Sequence, residues 1–220
     1  MCRFLLVKSE RKFKPALLLK KFALMCQKSR TLEGFRHGDG WGLSLQNSAR
    51  GCYKSLRPIW QDQAHFSSFP QTSILVVHAR SASFLNQRGI IEYNQPYISE
   101  KFSFVFNGML KGVTMSEDIK GKIGAQKIWH LLQQKLNQQI SPEQALKDLY
   151  SFIKSETKEI KAFNIGLATN AKILALNGQN ISSKHFGLYF HSEKNLKIIS
   201  SEPLAGYKFS LIPQEKVVIL

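Results

Sequence analysis

The chain has 220 residues, 43% hydrophobic and 21% charged, which sets one domain spanning 2–220 with a two- or three-layer core as the expectation. No apolar run nears the ~20 residues that cross a bilayer, and LLVK near the start lacks the basic lead of a secretory signal. A membrane protein is thereby excluded, and the cytoplasm is the expected compartment. The formal charge of +16 comes from single and paired basic residues scattered between Lys8 and Lys216, a solvated surface rather than the stripe of a nucleic-acid footprint.

Residues 3–8 read as a strand, followed by a helix over KPALLLKKFALMCQK. Pro15 suits its first turn, and Leu18, Phe22 and Met25 recur at helical spacing. WGLSLQ (41–46) is a strand after a glycine-rich turn, and ILVVHA (74–79) is a strand buried on both faces. In FSFVFN (102–107) Phe102, Phe104 and Phe106 alternate with Ser103 and Val105, the period of a strand. Ile128, Leu131, Leu132 and Leu136 mark one helix. Ser141, Pro142 and Gln144 open another that carries Leu146, Leu149, Tyr150 and Ile153. FNIGLAT, KILALN, FGLYFH, LKIIS and KVVIL then read as strands. Strands, helices and strands in that order favour an α+β fold of two antiparallel sheets with helices outside.

Three cysteines, Cys2, Cys26 and Cys52, form no CxxC pair and meet no histidine cluster, so neither a disulfide framework nor a metal or other cofactor is expected. Cys26 and Cys52 read as small hydrophobes. Cys2 is different. Removal of the initiator methionine leaves an α-amine, of pKa near ~8, beside a thiol near ~8.5, so one residue can carry both nucleophile and base.

Three segments bear on that thiol. HGDGWG (37–42) is a tight turn that places Asp39 and Trp41 close to something, with Trp41 expected in a core or wall. In VVHARSAS (76–83) a buried strand ends on Arg80, whose guanidinium is shaped to hold a carboxylate through two parallel hydrogen bonds. In FVFNGML (104–110) the Asn107-Gly108 pair reads either as a hairpin turn or as two donors for an oxyanion.

Taken in order, MCR, HGDGWG, HAR, NQPY, FNG and a late SSEPL (200–204) resemble the class II glutamine amidotransferases, which are N-terminal nucleophile hydrolases. The likeness is greatest to the stand-alone bacterial type with a Met-Cys start and a DGWG turn. The resemblance implies a four-layer αββα sandwich. It makes Cys2 the nucleophile toward a γ-carboxamide, Arg80 the clamp on the substrate α-carboxylate, and Asn107 and Gly108 the oxyanion pair. It puts Asp39 and Gly40 in a supporting turn of the substrate site. The implied ligand is a small γ-glutamyl compound. Because the resemblance runs the length of the chain, released ammonia goes to a separate protein or to solution.

This sequence departs from the family pattern at three places. Ser81, Ala82 and Ser83 follow Arg80 in place of the common tryptophan and threonine. Gln95 stands for a histidine, and Gly124 stands where an aspartate holds the substrate α-ammonium. Loss of that carboxylate removes a charged hydrogen bond of ~1.5–3 kcal/mol, which turns expectation toward a substrate with a blocked amine. Glu92, Glu117 and Asp118 are the candidate replacements. The alternative function is a catalytically silent domain of the same fold that binds protein or nucleic acid.

Overall fold

The computed structural model describes residues 1–29, 34–46, 51–114, 119–178 and 184–220. Its elements in chain order are β1 (Arg3–Phe13), α1 (Ala16–Gln27), β2 (Trp41–Gln46), β3 (Gly51–Ser55), β4 (Thr72–Ala79), β5 (Tyr97–Ile98) and β6 (Ser103–Val113). There follow α2 (Gly124–Leu136), α3 (Pro142–Ser155), β7 (Thr157–Ala168), β8 (Ile173–Gly178), β9 (Tyr189–Glu193), β10 (Leu196–Ser200), β11 (Ser210–Leu211) and β12 (Lys216–Ile219).

The strands form two sheets, ordered β11-β9-β10-β1-β4-β2-β3 and β12-β8-β7-β6-β5, and every pairing is antiparallel. Alternation along the strands divides the apolar side chains among three cores. Leu5, Val7, Leu43 and Val77 pack under Leu18, Leu19, Phe22 and Cys26 of α1. Phe104, Phe106, Phe163, Ile165 and Leu167 pack under Ile128 and Leu132 of α2 and Leu146, Leu149 and Ile153 of α3. Between the sheets lie Phe4, Leu6, Ile74, Val76, Val105, Ala175 and Ile199. Helix, sheet, sheet and helix pair therefore make the αββα sandwich that the sequence led us to expect, each buried aliphatic or aromatic side chain contributing ~1.5–3 kcal/mol.

The helix ends follow local chemistry. Ser141 Oγ accepts from the Gln144 N–H at 3.1 Å, with Pro142 at the first helical position, as the SPEQ pattern predicts. α2 begins behind Ile123 with no side-chain cap and no acid in its first turn.

Of the two readings of Asn107-Gly108, the hairpin turn does not form. β6 runs straight through the pair, with Asn107 opposite Asn164 and Gly108 opposite Phe163 of β7, because β7 continues to supply ladder partners as far as Thr157. Cys52 also differs from its reading as a buried hydrophobe. It lies exposed on the edge strand β3.

Candidate active site

The site arises from strand parity. Phe4 and Leu6 of β1 face the inter-sheet core, so the residue two before Phe4, Cys2, falls on the same side. Ile74 and Val76 of β4 face that core, and the same step of two leads to His78 and Arg80. From the second sheet Val105 faces inward, and Asn107 follows it. At this end of the inter-sheet space opens a cavity of about 680 Å³, walled by Met1, Cys2, Arg80, Ser81, Gln95, Phe106, Gly108 and the start of α2.

The thiol is held by the loop that follows β4. Ser81 N–H donates to Cys2 Sγ at 3.4 Å, and the thiol donates to the Ser81 carbonyl at 3.6 Å. The HGDGWG turn fixes that loop from behind. Asp39 N–H donates to the Arg80 carbonyl (3.0 Å), Arg80 N–H to the Gly40 carbonyl (2.8 Å), and Ala82 N–H to Asp39 Oδ2 (2.8 Å). Asp39 Oδ1 also pairs with Arg88 Nε at 3.1 Å. Gly40 has φ +105°, and a Cβ there would collide with Asn94 and the Ser55 carbonyl, so the turn requires glycine.

Burial is the main influence on the thiol and raises its pKa. The Ser81 hydrogen bond and the positive charges of the amino terminus, Arg80 and Arg3 oppose it. Burial also lowers the pKa of the amino-terminal ammonium, here that of Met1. An amine at this end is therefore biased toward its neutral, basic form.

Arg80 is 3% exposed, its guanidinium lies 5.4 Å from the Tyr93 ring centroid, and Nη2 donates to the Gln87 carbonyl at 2.7 Å. Among the described residues its buried Nη1 has no hydrogen-bond partner, and neither does either end of the buried Asn107 amide. Such groups cost about 1–3 kcal/mol each when left unpaired. Gln95 binds the backbone of Phe106 through both ends of its amide, fixing the strand that leads to Asn107 and Gly108.

A buried polar layer underlies the thiol. Arg3 and Glu202 are both fully buried and pair at 3.2 Å, Ser29 Oγ donates to Glu202 at 2.9 Å, and Arg3 Nη2 meets His185 Nδ1 at 3.0 Å. His37 adjoins this layer through Arg3, and His78 lies on the inter-sheet side near Arg80. His37, pressed edge-on to Phe35, is pushed down to a pKa of about 2 by burial first and then by the Arg3 and amino-terminal charges, with the Met1 backbone opposing. His78 is pushed down to about 3 by burial first and then by Arg80, with the Phe106 backbone opposing. Both are neutral in the native protein at ordinary pH.

No protein-family model matches the chain, and no curated protein is similar to it in sequence. Its structure is similar to a class-II glutamine aminotransferase domain protein from Silicibacter pomeroyi, at 12% identity over 99% of this chain and 94% of that one, with TM-score 0.66. It is also similar to the glutamine phosphoribosylpyrophosphate amidotransferase of Bacillus subtilis, at 12% identity and TM-score 0.71. That match takes in 99% of this chain and 47% of the other, so this chain spans about half its length. A third neighbour is a predicted glutamine amidotransferase from Pseudomonas aeruginosa, at 12% identity over 99% of this chain and 96% of that one, with TM-score 0.55.

The fold is that of the class II glutamine amidotransferases. Within this amidotransferase fold, Cys2, Arg80 and Gly108 wall one cavity, while Asn107 adjoins Gly108 in β6 and Asp39 and Gly40 bind the Arg80–Ala82 loop, none of the three being in the described wall. Trp41 is core, its Nε1 donating to Asp62 at 3.0 Å. Gly124 lines the cavity, whereas Glu92 is exposed and not part of the wall. Glu117 and Asp118 lie outside the described residues. Sequence reasoning missed Ser81 as the thiol's partner, because a backbone contact across 79 residues leaves no composition signal. It likewise saw no role for Glu202, whose partner Arg3 is 199 residues away.

Proposed function

We propose that this protein is an amide hydrolase of the class II glutamine amidotransferase family, acting on a γ-glutamyl-type carboxamide through the Cys2 thiolate. The observation that carries this reading is one cavity lined by Cys2, Arg80 and Gly108, where Arg80 Nη1 and the amide of the adjacent Asn107 have no partner among the described residues. Removal of Met1 converts the amide nitrogen of Cys2 into an amine, which takes the thiol proton. The thiolate attacks the carboxamide carbon, and the oxyanion accepts hydrogen bonds from Asn107 and Gly108. Collapse of the tetrahedral intermediate breaks the C–N bond, the protonated amine gives its proton to the leaving nitrogen, and ammonia departs from a thioester. Water, deprotonated by the same amine, cleaves the thioester to a carboxylate and restores the thiol.

Arg80 holds the substrate carboxylate, and Asp39 with Gly40 keeps the Arg80–Ala82 loop against the thiol. The ammonia passes to an acceptor or to solution. The test uses protein whose Met1 removal is established by intact mass. Such protein is expected to release ammonia from a γ-glutamyl carboxamide and to lose at least ~10³-fold of that rate in Cys2→Ala. A diazo-ketone analogue of glutamine is expected to add its mass at Cys2. Turnover that survives Cys2→Ala removes the mechanism. A Cys2 that stays unlabelled supports a silent binding domain of the same fold.

A further inference from the structure

The polar layer behind the nucleophile holds a buried carboxylate that the proposed reaction does not use. Glu202 Oε2 takes the Arg3 Nε–H at 3.2 Å and the Ser29 hydroxyl at 2.9 Å, which sets the direction of the guanidinium. Arg3 Nη1 then donates to the Cys2 carbonyl at 3.5 Å and to the His185 carbonyl at 3.3 Å. By strand parity Arg3 points with Leu5 and Val7 toward α1, on the side opposite the thiol, so it reaches the Cys2 backbone from behind. Ser201, next to Glu202, binds both backbone groups of Phe4: its N–H donates to the Phe4 carbonyl at 3.1 Å, and its Oγ accepts from the Phe4 N–H at 2.9 Å. The register of β1 with β4 begins at Arg3, one residue short of the nucleophile. Once Met1 is removed no peptide bond precedes Cys2, and rotation about its Cα–C bond swings amine and thiol together. Arg3 at the carbonyl and Ser81 at the sulfur hold that residue from two sides.

We infer that Glu202 is a positioning residue for the nucleophile: by orienting Arg3 it fixes the Cys2 carbonyl, and by neutralising Arg3 it sets the field in which amine and thiol exchange their proton. This inference rests on the amide-hydrolase reading and adds a residue to that same site. The amino terminus faces the charges of Arg3 and Asp39 besides the thiol, and the thiol faces those of the amino terminus, Arg80 and Arg3. Cys26 of α1 also faces Arg3, while His37 and His185, pushed down to about 2 and about 4, are neutral near pH 7. The Arg3 charge lowers the pKa of both the amino terminus and the thiol. Glu202→Gln keeps the shape and leaves that charge uncompensated, so both values fall further and the thiolate forms at lower pH.

The test uses processed protein carrying Cys52→Ser, with iodoacetamide alkylation of Cys2 followed by peptide mass across pH as a readout free of turnover. Glu202→Gln is expected to lower kcat for a γ-glutamyl carboxamide about tenfold to a hundredfold, with KM within about twofold because Arg80 is untouched. The midpoint of Cys2 alkylation is expected to move to lower pH in Glu202→Gln. Glu202→Asp keeps the charge but draws the carboxylate back from Arg3, so it is expected to lower kcat and leave the midpoint in place. Leu149→Ala, which loosens the distant α3 core, serves as the stability control and is expected to change neither. An unmoved midpoint in Glu202→Gln, with kcat no lower than in Leu149→Ala, overturns the inference and leaves the hydrolase reading standing. Should Glu202→Gln fail to fold, an unchanged kcat in Glu202→Asp overturns it equally. A shifted midpoint in a protein that hydrolyses no γ-glutamyl carboxamide removes the hydrolase reading and keeps the coupling of Glu202 to the thiol.

Discussion

Gln95 grips Phe106 at both of its backbone groups: the side-chain Nε2 donates to the Phe106 carbonyl at 3.2 Å, and the Phe106 N–H donates to Oε1 at 2.6 Å. A single amide thereby takes the place of a strand partner one residue before Asn107. Gln95→Leu leaves two buried backbone groups unpaired, a cost on the order of 2–4 kcal/mol. Denaturant unfolding is expected to show that loss. Ammonia release should fall by a larger factor than substrate affinity, since the oxyanion donors shift while Arg80 does not. An unchanged kcat would remove Gln95 from the positioning of Asn107 and Gly108.

Gly108 sits where a Cβ would run into the Phe106 ring, which is itself packed edge-on against Phe163 at 5.2 Å between centroids. Gly108→Ala must therefore displace an aromatic ring from a filled core, at about 1–3 kcal/mol. Thermal unfolding should register the loss, and Phe106→Leu in the same chain should recover part of it. No change in Tm on Gly108→Ala would contradict the packing.

The Arg3–Glu202 pair is buried without exposure at either side chain. Glu202→Ala removes the carboxylate paired with Arg3 and is expected to cost about 3–5 kcal/mol, a fall in Tm of roughly 6–20 °C for a chain of this size. Glu202→Gln keeps an acceptor for Arg3 and Ser29 and should cost less. The paired replacement Arg3→Met/Glu202→Leu, which removes both charges, is expected to be more stable than Glu202→Ala alone. If the paired variant is the least stable of the three, the charge argument is wrong.

His37 and His78 tie stability to acidity. Both have native pKa values pushed down, to about 2 and about 3, whereas in the unfolded chain they take protons below about 6.5. Above that value neither state binds the proton, and the histidines contribute no pH dependence. Below it the unfolded state gains protons that the native state refuses, so stability falls as pH falls, by ~1.4 kcal/mol per pH unit for each histidine. Urea unfolding between pH 7.5 and 5 should show this slope, and His78→Gln should reduce it by less than half, because the partly buried His185, pushed down to about 4, adds to it. A stability that rises toward pH 5 would refute the assignment.

How far the sequence led depends on the range of the interaction. WGLSLQ carries its own period and boundaries, and β2 occupies those six residues. SPEQ carries its own cap, and α3 starts there. Asn107-Gly108 carries a turn signal as well, but the pairing of β6 with β7 overrides it, and the glycine serves the Phe106 ring instead. The two-residue strands β5 and β11 have too few positions for a period to show. Arg80, Cys2 and Gly108 could be singled out because each has a local chemical identity. The roles of Glu202 and Gln95 could not be read, since their meaning lies in partners that only the folded chain supplies.

β1 lies inside its sheet, between β4 and β10, with Leu5 opposite Val77 on one side and Ser200 on the other. The strand that carries the thiol is thus completed by residues made at the far end of the polypeptide. At ~5–20 residues per second, roughly 10–40 seconds of synthesis separate the emergence of Cys2 from that of its last neighbour. During that interval the leading end is accessible to an aminopeptidase, and afterwards Met1 is part of a cavity wall. On the proposed mechanism, trimming of Met1 on the ribosome would come before β1 is closed in by β10.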